Sequence, residues 1–291
     1  MGCGDRSTGE VSTKSILVPT ENRPGMTSTL ETALLLAQRC AGYIEGFPLR
    51  SRVSDFIALD PTGSVPIAEY EQESQEEAVR VRTFFEVFMQ ERDVPSRAKT
   101  TEGPSCGWFE DAAEGEDFVG SYGRVFDVIV LGRPDADTTS LHNCAIESAL
   151  FESGRSVLLT PPAAPKEIAT NIMVHWNRST EQARATDAAM RLLQQASRIT
   201  VLDVNGGQGV PGPSADQLMR YFERSGVKAD LVTVGLEGRS TGEAVLRAAA
   251  ARGCDLLVKG AYTQSRLRQM IFGGATSHIL ANAELPVLMA H

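Results

Sequence analysis

The chain is short of cysteine, histidine and aromatic residues, and it has no long apolar run. Its five cysteines, Cys3, Cys40, Cys106, Cys144 and Cys254, form no Cys-x-x-Cys pair, and an odd count does not make a disulfide framework. They read as free thiols of a reducing cytosol, which gives a cytoplasmic expectation. The four histidines stand apart, so no metal-ligand spacing appears. No apolar stretch approaches the roughly 18 residues that cross a bilayer, so no membrane is expected as a partner. Positive charge is also scarce: 28 Lys and Arg stand against 37 Asp and Glu, for a net charge of −9. Such a surface repels a phosphate backbone, which excludes nucleic acid as a partner. There is no Gly-x-Ser-x-Gly elbow for a nucleophilic serine, and no Gly-Lys-Ser or Gly-Lys-Thr of a Walker loop. Residues 1–13 lack the apolar stretch of a signal peptide, and Arg6 stands where a myristoylation motif needs Ser or Thr. They read as a short disordered tail.

What the sequence does have is a globular composition, 42% hydrophobic and 22% charged, and a length that suits two domains. It also repeats itself. Ser15-Ile16-Leu17-Val18 has a counterpart in Ile172-Met173-Val174, which follows the proline cluster Pro161-Pro162-Ala163-Ala164-Pro165. Asp127-Val128-Ile129-Val130-Leu131-Gly132 resembles Asp255-Leu256-Leu257-Val258-Lys259-Gly260, and Ser156-Val157-Leu158-Leu159 resembles Pro286-Val287-Leu288-Met289. The second copy is shorter in its middle. The prolines mark the linker, because proline continues neither helix nor strand. The expected domains are therefore 14–162 and 166–291.

Within each half, short apolar runs alternate with helix-period segments. Ile16–Val18, Asp127–Leu131 and Val157–Thr160 read as buried strands, as do Ile172–Val174, Ile199–Val204, Ala229–Val234, Asp255–Val258 and Val287–Ala290. Ser28 and Glu31 fit a capping box ahead of the stripe Leu30, Ala33, Leu34, Ala37. Ser179 with Gln182 fits the cap of a helix reaching Gln195. Residues 50–74, with Pro61, Gly63 and Pro66, read as a loop insertion; the acidic run Glu69 to Glu77 reads as the solvated start of the helix that carries Val81, Phe84, Phe85 and Phe88. The alternation predicts an α/β fold: two tandem doubly wound domains, each with a five-stranded, mainly parallel sheet covered by helices on both faces. In such sheets ligands bind beyond the carboxyl ends of the strands, where strand order reverses. That directs attention to the loops after Val18, Leu131, Val174 and Val258.

The loop after Val258 carries Gly260-Ala261-Tyr262-Thr263, nine further residues, then Gly273-Gly274-Ala275-Thr276. It leaves a buried strand and enters a helix, an arrangement that can cradle phosphate: glycine lets the backbone come close, amide N–H groups donate, and the helix N-terminus favours negative charge. The alternative is that the glycines only make the turn and pack the helix close. His175 and Trp176 stand at the carboxyl end of a predicted strand; Trp176 suits stacking on a base as well as a core or interface place. His278 follows the loop and reads as structural. Arg266 and Arg268, within the loop, suit a solvated face as well as phosphates.

The loop, its strand and the closing Leu285-Pro286-Val287-Leu288 resemble the universal stress protein family, whose ATP-binding members carry Gly, two residues, Gly, nine residues, then Gly and Ser or Thr. The resemblance extends to Ile172–Ser179 and, in the first half, to Glu147–Pro162. It implies an adenine-nucleotide alpha-hydrolase-like fold, a stress-response regulatory role, and ATP or another adenine nucleotide, with or without Mg²⁺, bound at His175, Trp176, Asn177, Gly260, Thr263, Gly273, Gly274 and Thr276. It also implies a protein that is not an efficient enzyme. Domains of such proteins pair through their last strands, so Val157–Thr160 is expected against Val287–Ala290 as an internal pseudo-dimer, with a homodimer of chains as a further step.

The chain departs from the motif at three places. Thr263 stands where the second glycine belongs, Gly274 replaces the Ser or Thr after the third, and Asn177 replaces the Asp that helps to hold Mg²⁺. In the first half, Gly132 is followed by Arg133-Pro134-Asp135-Ala136-Asp137, with no further glycine at the right spacing, and Glu21 occupies the place of Asn177. That half is expected to be degenerate, without a nucleotide. The departures leave a non-nucleotide-binding interaction or scaffold protein as the alternative. An adenylating or nucleotidyl-transferring enzyme is a third reading, with Lys259 as its candidate cation. Gly260→Val or Gly273→Val is expected to abolish nucleotide binding with little loss of fold.

Overall fold

The computed structural model describes residues 15–59, 66–96, 103–134, 140–207, 209–261 and 274–291; the expected tail lies outside them. The first half runs β1 (Ser15–Thr20), α1 (Met26–Cys40), β2 (Tyr43–Pro48), α2 (Val53–Leu59), α3 (Ile67–Glu91), β3 (Ser105–Trp108), α4 (Asp117–Gly123), β4 (Val128–Gly132), α5 (Leu141–Glu152) and β5 (Ser156–Thr160). The second runs β6 (Asn171–His175), α6 (Thr180–Ala188), α7 (Met190–Gln195), β7 (Arg198–Asn205), α8 (Ala215–Arg224), β8 (Asp230–Gly235), α9 (Thr241–Ala251), β9 (Leu256–Gly260), α10 (Gly274–Asn282) and β10 (Val287–Ala290).

All ten strands join one sheet in the order β3-β2-β1-β4-β5-β10-β9-β6-β7-β8. Each half thus repeats one α/β topology, with its first strand central and strand order reversing between its first and fourth strands. Every neighbouring pair is parallel except β5 and β10, which run antiparallel at the centre, with Leu158 opposite Leu288 and Val157 opposite Met289. The last strands therefore meet where the repeat predicts.

Burial explains the composition of the strands. Ile16, Leu17 and Val18 are all fully buried, as are Ile172, Met173 and Val174, because helices cover both sheet faces and leave no polar side to alternate with. Ile16, Val130, Leu158, Val174, Val258 and Leu288 form one layer of the core; Leu17, Ile129, Val157, Met173, Leu257 and Met289 form the other. Each layer crosses the seam between the halves without a break. At the amino ends of the strands, one carboxylate per half ties the central strand to its neighbour. Asp127 accepts from the Ser15 backbone N–H and hydroxyl, both at 2.9 Å, and Asp255 accepts from the Thr170 and Asn171 N–H groups at 2.9 and 3.0 Å.

Several local expectations change. α1 begins at Met26, with Gly25 at its N-cap in the left-handed region (φ 88°), a conformation open to glycine. Ser28 therefore lies inside the helix and donates to the Pro161 carbonyl at 2.7 Å, while Glu31 pairs with Arg92; neither forms a capping box. The described parts of the expected 50–74 loop hold α2 and the start of α3, so the acidic run sits in the first turns of that helix. The expected helix from Ser179 to Gln195 divides at Ala189 into α6 and α7. β2, β3 and α4 had no clear sequence signal.

The seam is the most sensitive place in this architecture. Leu158→Ala and Leu288→Ala should each lower stability by about 2–5 kcal/mol, the cost of a buried leucine. Denaturation followed by Trp108 in a Trp176→Phe background and by Trp176 in a Trp108→Phe background should show the same loss. A loss seen by one tryptophan alone would mean that the halves do not share a core.

Candidate functional site

Strand order reverses between β6 and β9, and their carboxyl ends gather most of the described candidate residues. Val174 pairs with Val258, so His175 and Lys259 lie side by side one step further along. Both follow Met173 and Leu257 on the sheet face that α9 and α10 cover, because alternate residues of a strand share a face. Trp176 turns to the opposite face.

Lys259 is 3% exposed. Its ammonium donates to the Thr276 hydroxyl at 2.7 Å, in the first turn of α10, and to the Gly260 carbonyl at 2.9 Å. Both acceptors are neutral. Burial pushes the amine down to about 8, so the charged form still predominates at neutral pH. His175 is equally buried, and its Nδ1 has no hydrogen-bond partner among the described residues. Burial, helped by the neighbouring Lys259 ammonium, pushes the imidazole down to about 3, so the ring is neutral near pH 7.

The other expected residues are occupied differently. Trp176 is a core residue whose indole N–H donates to the Pro213 carbonyl at 2.9 Å. Asn177 turns the chain into α6, its side-chain oxygen accepting from the Ser179 N–H at 3.2 Å, while Ser179 caps the helix by accepting from the Gln182 N–H at 3.0 Å. The Gly260 N–H donates to the buried Gln182 side chain at 2.7 Å. A Cβ on Gly260 would stand 2.5 Å from the Gln182 backbone nitrogen, so this glycine is needed for the close approach of α6 to the sheet. Gly274 opens α10, and Thr276 holds Lys259. Thr263, Arg266, Arg268 and Gly273 lie outside the described residues.

Beside this cluster, at the carboxyl ends of β6 and β7, a polar cleft of about 380 Å³ opens. His175, Trp176 and Asn177, all expected at the site, form part of its wall, with Arg178, Asp203 and the glycines 206, 207 and 209. Arg178 takes a left-handed backbone (φ 70°) and lies 3.7 Å from the Asp203 carboxylate. Residues 209–213 fold over the 176–178 turn, the Val210 N–H donating to the Asn177 carbonyl at 3.2 Å. Sequence reasoning missed the part of this wall that Arg178 and the residues after β7 supply. Its signal was Asn205-Gly206-Gly207-Gln208-Gly209 directly after a strand.

The first half differs at matching positions. Strand register sets Pro19 opposite His175 and Leu131 opposite Lys259; Val157 then matches Val287, and the same step back from each sets Ile146 opposite Thr276. The polar cluster is thus replaced by apolar residues. Glu21, in the place of Asn177, binds His142 Nδ1 at 2.6 Å, and His142 Nε2 meets the Gly132 carbonyl at 3.1 Å. A cleft of about 390 Å³ lies above these strands, lined by Arg23, Gly25, Thr29, Gly132, Arg133 and Thr160. Asp135 and Asp137 lie outside the described residues. Among those residues no group of three or more His, Cys, Asp or Glu side chains could hold a metal, and no helix is long and apolar enough to cross a membrane.

Comparison with known proteins agrees with this fold. Residues 169–291 match the model of the universal stress protein family. A universal stress protein from Archaeoglobus fulgidus superposes with a TM-score of 0.74 over 96% of this chain and 96% of its own, at 13% identity. A putative universal stress protein from Pseudomonas aeruginosa covers 95% of this chain and 92% of its own, with a TM-score of 0.50 at 14% identity. At these identities the likeness is one of fold. No curated protein matches the chain.

The packing at Gly260 overturns the expectation that a valine there would act on ligand alone. Gly260→Val should cost at least about 1–3 kcal/mol through overpacking against the α6 backbone, read as a lowered denaturation midpoint in the absence of ligand. An unchanged midpoint would show that α6 moves aside freely.

Proposed function

We propose that the second half of the chain, whose residues 169–291 match the model of the universal stress protein family, binds ATP or a related adenine nucleotide and works as a stress-response regulatory protein rather than an efficient enzyme. The observation that carries this reading is the polar cleft at the carboxyl ends of β6 and β7, which runs up to a buried histidine with a free ring nitrogen. Its volume of about 380 Å³ lies within the range of small-molecule sites, and its place beyond parallel strands is where α/β sheets take ligands. The glycines of 206–209 let a ligand approach the backbone, Asp203 is an acceptor for hydroxyl groups, and Arg178 stands at the rim for an anion. Occupancy would order this rim and so change a surface open to a partner. We assign the two domains to 14–162 and 166–291, with the first lacking a nucleotide. A cytoplasmic place suits the four described cysteines, all free thiols.

A second reading is supported by a specific observation. The Asn177 side chain is engaged in the turn into α6, and the Gly260 N–H is engaged by Gln182. Both were expected to face a nucleotide. An interaction protein that keeps the fold without the ligand would look this way.

Calorimetric titration of nucleotide-stripped protein with ATP separates the two. The nucleotide reading expects saturable binding near one site per chain. No heat up to millimolar ATP would favour the interaction protein, and two sites per chain would mean that the first half is competent as well.

A further inference from the structure

We propose that the second half takes the phosphate of its nucleotide as a bare anion, without a divalent metal, and that Lys259 supplies the countercharge. The inference rests on the nucleotide reading above and says how that site balances charge.

A buried ammonium needs an opposite charge, because desolvation is costly and neutral acceptors recover only part of it. Lys259 has two neutral acceptors and no carboxylate within ion-pair distance among the described residues. The segment 262–273, which joins β9 to α10, contains Arg266 and Arg268 and no Asp or Glu. Thr276, which holds the ammonium, lies in the first turn of α10, the positive pole of that helix. A cation set against a helix N-terminus leaves two positive features facing each other, and an anion satisfies both. His175 adds an independent sign of a ligand. Its ring is buried, lines the cleft and leaves Nδ1 without a partner among the described residues, free to donate to or accept from a bound group.

The fold itself does not require this cluster. The matching positions in the first half, Pro19, Leu131 and Ile146, are apolar and build the same sheet. Three polar side chains, buried at some cost in one copy and absent from the other, point to a role beyond packing. Nor do the residues suit Mg²⁺, which prefers carboxylate oxygens. The side chain at the expected carboxylate position is an amide engaged with Ser179, and Asp203 faces Arg178. A dication beside an uncompensated ammonium would be repelled.

The experiment titrates the full chain with ATP in EDTA and in excess Mg²⁺, with adenosine as the uncharged control, and repeats this with Lys259→Met. Wild-type protein should bind ATP at least as tightly in EDTA as in Mg²⁺. Lys259→Met should lose about tenfold or more of the metal-free ATP affinity, the worth of one charge-assisted hydrogen bond, and keep its adenosine affinity. Binding that requires Mg²⁺, or a Lys259→Met protein with full metal-free affinity, would overturn the proposal and leave the nucleotide reading standing. If neither ATP nor adenosine binds in either condition, the nucleotide reading falls and the proposal with it. A further measurement needs no variant. Burial pushes the Lys259 amine down to about 8, so an anion that re-stabilises the ammonium must draw in protons at pH 8. The heat of metal-free ATP binding should then vary with the ionisation enthalpy of the buffer; heat independent of buffer would overturn the proposal.

Discussion

The antiparallel pairing of β5 with β10 makes one molecule out of two similar halves. A parallel sheet ends in an edge strand with unpaired amide and carbonyl groups, which must be covered or matched. Here each half covers the other: the last strand of one is the neighbour of the last strand of the other, and both core layers run through the junction. The antiparallel sense has a functional consequence. The carboxyl ends of the strands in the first half face one way along the sheet and those of the second half face the other. The carboxyl edges of the two halves are therefore held apart on a shared core, and each is free to diverge without disturbing its twin.

They have diverged. In the first half, His142 bridges Glu21 and the Gly132 carbonyl, joining the ends of β1 and β4 through side chains. Room remains around Gly132, where the nearest atoms to an added Cβ are in the Arg23 and His142 side chains at 3.4–3.6 Å. In the second half, Gln182 of α6 binds the Gly260 N–H directly and the helix backbone sits against the glycine. The space opens instead between β6 and β7, and the interior beside it holds Lys259 and His175. Leucine at the position of Lys259 would be the ordinary solution for a buried strand, as Leu131 shows. Buried charge persists where something repays its desolvation, and no carboxylate among the described residues does so.

Much of the fold was legible because it rests on periodicity and repetition. Ile16–Val18 and Ile172–Val174 read as buried parallel strands because both of their faces are apolar, and the matched Asp127 and Asp255 aligned the two halves. β2 and β3 were harder to read. Gly46 and Pro48 interrupt the apolar pattern of β2, and β3 is only Ser105–Trp108, with a glycine in its middle. The start of α1 was misplaced because Ser28 and Glu31 have the chemistry of a cap, while the chain turns earlier at Gly25. At the site, residue types were legible and their directions were not. Gly260 was read as room for phosphate, yet its missing Cβ accommodates a helix. Asn177 was read as a ligand to the nucleotide; it lines the cleft, and its side-chain oxygen is turned to the Ser179 N–H. Lys259 was visible as a charge in a strand, but its lack of a counter-ion depends on what surrounds it in space, which no linear pattern records.

Whether the Lys259 ammonium lacks a countercharge within the protein can be measured without any ligand. Unfolding free energies of the wild type and Lys259→Met are compared across pH 6 to 11. The folded chain holds the Lys259 proton less tightly than the unfolded chain, with the amine at about 8 against 10.5. Below pH 8 both states are protonated and the cost of burying the charge is fully present; between 8 and 10.5 the unfolded chain binds more protons, so stability rises with pH. The wild type is therefore expected to be the less stable protein at pH 7, with the gap narrowing through that window. A wild type more stable than Lys259→Met at pH 7, losing that advantage as the pH rises through 10.5 and above, would show that Lys259 already has its countercharge within the protein.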